Sequence, residues 1–191
     1  MNDKKKNDYI EKTMVAVKPD GVRRQLVGEI VSRFEKVQLK MIGCKMIHIP
    51  EELAFKHYGQ SDEWFLNVGN KMIKFYKEHG LDPKETIGEM EPKEIGKMVQ
   101  KWNVNYLTKG PVVAMIWEGT HAVEIVRKIV GGTLPIQSPP GTIRGDYAVD
   151  SSYSANEQGR SIQNLIHASG TVDEAKLEIE LWFKKDEIFD Y

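Results

Sequence analysis

Val112-Val113-Ala114-Met115-Ile116-Trp117 is the strongest strand signal in the chain, an unbroken apolar run that starts just after Lys109-Gly110-Pro111. A short run of this kind suits a strand buried in a core. Residues 13–17 (TMVAV) form a second such run. It stops at Lys18-Pro19-Asp20-Gly21, where proline and glycine signal a turn. Residues 41–49 (MIGCKMIHI) offer a third strand. Residues 165–167 offer a short fourth one that ends in a histidine. Helical stripes lie between these strands. Leu26, Ile30, Val31 and Phe34 share one face. Pro50-Glu51-Glu52 opens a helix carrying His57 and Tyr58. Residues 120–130 follow the strongest strand as a helix with Thr120 as its expected cap. Residues 172–183 form an amphipathic helix with Ala175, Ile179 and Trp182 facing inward.

Two further helices are expected over residues 62–79 and 95–107, with Gly80 as a stop and a Pro-, Gly- and acid-rich loop over 81–92. Together they read as a helical hairpin inserted into an α/β frame. Residues 131–145 are rich in proline and glycine and read as a stiff loop. Residues 156–164 fit no pattern cleanly. The order of elements implies an α+β sandwich, with helices packed on one small sheet. Periodicity does not supply the strand order.

The chain has 191 residues, 40% of them hydrophobic and 29% charged, which suits a globular chain that needs no metal or disulfide to hold its core. Cys44 is the only cysteine, so no intrachain disulfide can form, and a reducing compartment fits. The N-terminus MNDKKKNDYIEK lacks the apolar stretch of a secretion signal, and residues 3–8 read as a solvated tail. No apolar segment reaches membrane-spanning length. The net charge is -1, with 21 lysines scattered among acids and only six arginines, so no dedicated nucleic-acid surface is expected. A small anionic ligand needs only a few local cations.

Several residues suit such a ligand. Arg144 lies in Thr142-Ile143-Arg144-Gly145-Asp146, after Pro139-Pro140-Gly141. Glycines admit close approach, prolines limit lost entropy, and a guanidinium fork matches phosphate oxygens. A surface arginine on a rigid loop is the plainer alternative. Arg127 sits on a helix and, taken alone, reads as a solvated residue. Thr133 closes a Gly131-Gly132-Thr133 turn whose donors can touch phosphate, or simply turn the chain. Lys18 ends a strand, but no Gly-rich run precedes it, so it is not a P-loop lysine. His167 follows Leu165-Ile166. A rigidly held neutral imidazole is a good nucleophile near neutral pH, and Glu178 on the next helix can fix its tautomer. A structural histidine is the alternative. His48, His57, His79 and His121 lack metal-ligand spacing, so no protein-held metal is expected.

Five stretches together resemble the nucleoside diphosphate kinase family. They are residues 13–22 (TMVAVKPDGV), His57-Tyr58, residues 110–115 (GPVVAM), residues 140–146 (PGTIRGD) and residues 164–169 (NLIHAS), in the family's order. The resemblance implies a ferredoxin-like fold, α/β in the α+β sense, with a small antiparallel sheet. It implies one domain over 1–191, carrying a helical insertion at about 60–109 and an extended segment at about 147–163. It implies ping-pong transfer of the γ-phosphate of a nucleoside triphosphate to a nucleoside diphosphate through phosphohistidine. Mg2+ would be held mainly by the nucleotide phosphates. By motif position His167 matches the phosphorylated residue, Glu178 the acid that orients it, and Ser169 a nearby hydroxyl. Lys18 and Tyr58 match the pair beside the transferred phosphate. Asn164 joins Lys18 at the sugar hydroxyl, and Arg127, Thr133 and Arg144 match binders of the phosphate chain. Trp64 or Phe65 would stack on the base. The resemblance further implies a cytoplasmic homo-oligomer, a hexamer or tetramer built from dimers. Other readings are a binding module that has lost turnover, a histidine phosphocarrier or phosphomutase without a base pocket, and an RNA-binding sheet. The aliphatic strands oppose the last of these.

Overall fold

The computed structural model describes residues 9–59 and 61–191, so the expected tail at 3–8 lies outside the described residues. The chain divides into two compact units. The first comprises the described part of Met1–His48 with Gly110–Val149 and Asn164–Tyr191; the second comprises Ile49–Lys109 and Asp150–Gln163.

The first unit is built on a four-stranded sheet of β1 (Ile10–Val17), β2 (Lys40–Ile47), β3 (Val112–Thr120) and β4 (Ile166–Ala168), in the order β2-β3-β1-β4. Every neighbouring pair is antiparallel. This is the ferredoxin-like arrangement, and it supplies the strand order that periodicity could not. Val15 sits opposite Met115 and Ala16 opposite Ala114, while on its other side Ala16 faces His167. From Met14 to Val17 and from Val112 to Trp117 the central strands are buried on both faces, so they read as continuous apolar runs instead of alternating ones. Between β1 and β2 the chain forms α1 (Pro19–Arg23) and α2 (Val27–Glu35). After β3 come α7 (Ala122–Val130), a 3-10 turn at Pro135–Gln137 and α8 (Ile143–Tyr147); after β4 comes α10 (Val172–Trp182). Ile30 and Phe34 of α2 and Val126 and Val130 of α7 share a core with Val15, Val17, Met115 and Trp117.

The second unit holds α3 (Glu51–His57), α4 (Asp62–Glu78), α5 (Pro83–Ile87), α6 (Pro92–Thr108) and α9 (Ser152–Glu157). The expected hairpin is α4 and α6. Two glycines let these helices approach closely. A Cβ on Gly69 would lie 1.8 Å from the Pro92 carbonyl oxygen, and one on Gly96 2.2 Å from that of Phe65. Met72, Tyr76 and Ile95 form the buried centre. The 150–163 segment belongs to this same unit. Arg160 grips Asp150 through both carboxylate oxygens, at 2.5 and 3.1 Å, and the Ser161 hydroxyl bonds Asn103 Oδ1 at 2.5 Å. Two stretches that look like separate insertions in the sequence therefore fold together.

Some local expectations give way. Thr120 does not cap α7: it ends β3 opposite Ile10, and His121 takes the cap position with φ +49 and no side-chain cap bond. The Lys18-Gly21 turn continues into α1, because Pro19 at the first helical position is pre-set for helix. The expected loops over 81–92 and 131–145 contain α5, the 3-10 turn and the start of α8. Asp82 and Thr142 cap α5 and α8 through their side chains. Of the 156–164 stretch, residues 156 and 157 end α9 and the rest is turn and coil.

Candidate active site

Pairing of β4 with β1 brings the end of one strand beside the start of another far away in sequence. Lys18 lies just past the end of β1, and its backbone N–H donates to the Leu165 carbonyl at 2.7 Å. Leu165 is buried and adopts φ +67. The Ile166 N–H reaches back to the Asn164 carbonyl at 2.8 Å, so residues 164–166 make a three-residue turn of the strained, positive-φ kind. That turn sets Asn164 and His167 on either side of a fixed corner. Nothing in residue type at Leu165 announces it, since leucine rarely accepts positive φ.

His167 sits on β4 with its ring 18% exposed, and Nε2 lies 2.8 Å from Glu178 Oε1. The other carboxylate oxygen accepts from the Ser169 hydroxyl at 2.6 Å. Ser169 Oγ in turn accepts from the Met14 N–H at 3.2 Å. Glu178 is buried on the inner face of α10 beside Ala175 and Trp182, a position where a carboxylate needs such partners. The close approach of the carboxylate favours the tautomer with its proton on Nε2, which leaves the in-plane lone pair on Nδ1. Burial, then the nearby charges of Lys18, Arg144 and Arg127, push the His167 pKa down to about 3. The ring is therefore neutral at physiological pH, with one nitrogen unprotonated.

Asn164 is the hub of the remaining groups. Its Oδ1 accepts from Lys18 Nζ at 2.8 Å and its Nδ2 donates to the Thr133 carbonyl at 3.0 Å. Its own carbonyl accepts from Arg144 Nε at 3.1 Å. Burial, then Arg144, push the Lys18 pKa down to about 7, partly offset by Asp20. Asp20 is itself buried. Arg144 is only 4% exposed. Its Nη1 donates to the Gly131 and Gly132 carbonyls at 3.2 and 2.9 Å, and its Nη2 to Ile166 at 2.6 Å. It thus pins the 131–145 segment to β4 as well as placing its charge near His167. Arg127 is exposed on α7, with Nη1 3.5 Å from the Ala168 carbonyl, and Thr133 is exposed.

Lys18, Arg127, Thr133, Arg144, Asn164, His167, Ser169 and Glu178 all belong to the first unit. Tyr58 belongs to the second, just past α3, with its ring edge-on to His57 at 5.0 Å. Of the two aromatics proposed for the base, Phe65 is buried and Trp64 half-buried.

The nucleoside diphosphate kinase family model matches residues 11–78 and 83–188. This chain is 48% identical over 181 residues to the nucleoside diphosphate kinase of Pyrobaculum aerophilum, a match covering 95% of this chain and 99% of that relative. The chain belongs to the nucleoside diphosphate kinase family. The crystal structure of an NDP kinase from Pyrobaculum aerophilum matches it with TM-score 0.92 at 46% identity, covering 95% of this chain and 100% of that one. A transition state mimic of the nucleoside-diphosphate kinase from Borrelia burgdorferi, with bound vanadate and ADP, matches with TM-score 0.76 at 37% identity, covering 96% and 92%.

Proposed function

We infer that this enzyme transfers the γ-phosphate of a nucleoside triphosphate to a nucleoside diphosphate through phosphorylated His167. The observation that carries the reading is the Glu178–His167 pair at 2.8 Å, which directs the Nδ1 lone pair outward from a ring kept neutral by burial and three cations. In the first half-reaction Nδ1 attacks the γ-phosphorus in line and the diphosphate leaves. In the second, a different diphosphate's terminal oxygen attacks the phosphohistidine, and the ring returns to its neutral form. Both halves need positioning and charge stabilisation more than proton transfer. Glu178 holds the ring and balances the positive charge that forms on it. Ser169 holds Glu178. Lys18 acts beside the transferred phosphate, Asn164 and Lys18 at the sugar hydroxyl, and Arg127, Thr133 and Arg144 along the phosphate chain. The transition state mimic with vanadate and ADP in the Borrelia burgdorferi relative supports the phosphoryl-transfer reaction.

Mg2+ fits as an ion carried on the nucleotide: the carboxylate beside the nucleophile, Glu178, is committed to His167 and Ser169. When bound, the ion would neutralise phosphate charge. We take the two units as one kinase domain, since the family model spans both. No described helix is long and apolar enough to cross a membrane. Assembly as a hexamer or tetramer built from dimers rests on family membership, and light scattering tests it. Cytoplasmic placement rests on the lone Cys44, which suits a reducing compartment.

Protein, Mg2+ and γ-labelled ATP should yield an acid-labile phosphoprotein, and added GDP or CDP should carry the label away as GTP or CTP. Absence of labelled GTP and CTP defeats the reading. His167→Ala should abolish the label while ADP still binds; a label that persists moves the nucleophile elsewhere.

A further inference from the structure

Arg33 on α2 plays no part in the sequence motifs, yet it is the most heavily engaged side chain around the segment that carries Arg144. Its helix neighbours Ile30 and Phe34 are buried in the core, and Arg33 is itself 18% exposed. Nε donates to Glu29 Oε1 at 3.0 Å, and Nη1 donates to the Gly141 carbonyl at 3.1 Å. Nη2 lies 2.7 Å from Asp146 Oδ2 and donates to the Tyr147 hydroxyl at 3.0 Å. The guanidinium carbon stands 4.8 Å from the centre of the Tyr147 ring. Asp146 uses its second oxygen to accept from the Gly141 N–H at 2.7 Å. Arg33 therefore holds both ends of the 141–147 segment, and Asp146 ties those ends to each other. Between the ends, Arg144 reaches the carbonyls of Gly131, Gly132, Asn164 and Ile166. One arginine grips the segment at its ends; the other grips the site from its middle.

We propose that Arg33 is a positioning residue for nucleotide binding, holding residues 141–147 so that Arg144 and the Gly131–Thr133 turn stay in register for the polyphosphate. This rests on the reading that those groups serve the nucleotide. Without Arg33, the Gly141 carbonyl, the Tyr147 hydroxyl and one Asp146 oxygen turn to water, and the segment samples other conformations. Apparent affinity then falls by the fraction of molecules that keep the competent one. Such a loss is uniform between ground and transition state, so KM rises while kcat holds. Lysine cannot substitute, because a single ammonium does not span acceptors on both sides of a planar fork.

The test uses the full chain and four measurements on Arg33→Ala and Arg33→Lys: kcat, KM, ADP affinity by calorimetry, and hydrogen exchange of amides 141–147. The expected result is an ADP affinity weaker by about tenfold with kcat within about twofold. Exchange at 141–147 should be faster and should slow again with ADP, and Arg33→Lys should recover less than half of the loss. A lower melting temperature with unchanged ADP affinity would make Arg33 merely structural and overturn the proposal. So would full rescue by lysine. If Arg33→Ala does not fold, Asp146→Asn takes its place, with affinity expected to weaken about threefold; no change overturns the proposal. A wild-type protein that forms no phosphohistidine removes the reading of the site and this inference with it. A normal wild type beside an unaffected Arg33→Ala removes the inference alone.

Discussion

The two units use polar groups in opposite ways. In the first, Lys18, Asp20, Arg144, Asn164, Ser169 and Glu178 are all buried, and most of them bond to backbone or to one another. In the second, most charged pairs sit on the surface, as in Lys56–Glu52 and Lys74–Glu78, and the partly buried Arg160–Asp150 pair is the exception. Its helices meet closely at Gly69 and Gly96, where an added Cβ would strike the opposing backbone. Buried charge is tolerated only where partners satisfy it, and it then carries strong fields. The first unit is thus organised to act on an anion, the second to keep two helices in close contact.

If that contrast is sound, the largest effect should come from the polar centre. Glu178→Gln keeps the shape but removes the charge that, in the proposed mechanism, supports the phosphorylated ring. Phosphorylation of His167 should slow about 10²-fold, read by rapid-quench labelling, with ADP affinity changed by less than about twofold. A rate near wild type would mean that Glu178 is a packing residue. The next effect tests the backbone packing of the second unit. Gly96→Ala places a methyl 2.2 Å from the Phe65 carbonyl oxygen, which cannot rotate away. A cost of about 3 kcal/mol is expected, lowering the calorimetric melting temperature by roughly 6–12 °C. Unchanged melting would show that the helices can separate without penalty.

Lys18 offers a smaller, pH-dependent effect. Its pKa in the folded protein is about 7 against an ordinary 10.5. With its folded value depressed, the unfolded chain binds more protons across that window, so this group's contribution to stability rises as pH climbs from about 7 to about 10.5. A bound polyphosphate favours the ammonium and pulls the value back up. ADP binding at pH ~8.5 should then take up about one proton, measured by calorimetry in buffers of different ionisation enthalpy, and the uptake should vanish below pH ~6. Proton release instead would place the polyphosphate away from Lys18. The smallest effect is expected at the surface of the second unit. Lys56→Ala removes a pair at 2.6 Å whose partners are 55% and 79% exposed, and should leave the midpoint of urea unfolding unchanged.

How much was readable varied residue by residue. β1 and β3 were visible because burial on both faces leaves unbroken apolar runs. The hairpin was visible because Phe65, Met72 and Ile95 recur on helical faces. His167, Lys18 and the 140–146 stretch were legible as motif residues. Arg33 was not, because on a helical wheel it is an ordinary edge residue beside Ile30 and Phe34. The turn at Leu165 was not, because its positive φ belongs to a residue type that gives no warning of it. The cap at His121 was misread because Thr120 is the better cap by type, and pairing with Ile10 kept it in the strand.

Local periods and residue chemistry therefore determined the elements, the family motifs and the kind of ligand this chain suits, since each depends on neighbours within a turn or a strand. The strand order, the joining of residues 49–109 with 150–163, and the meeting of Lys18 with Asn164 were settled by folding. Lys18 and Asn164 are 146 residues apart and touch only because β1 accepts β4 along its edge. Contacts at that separation depend on which surfaces bury each other best, and no local pattern in the chain records that choice.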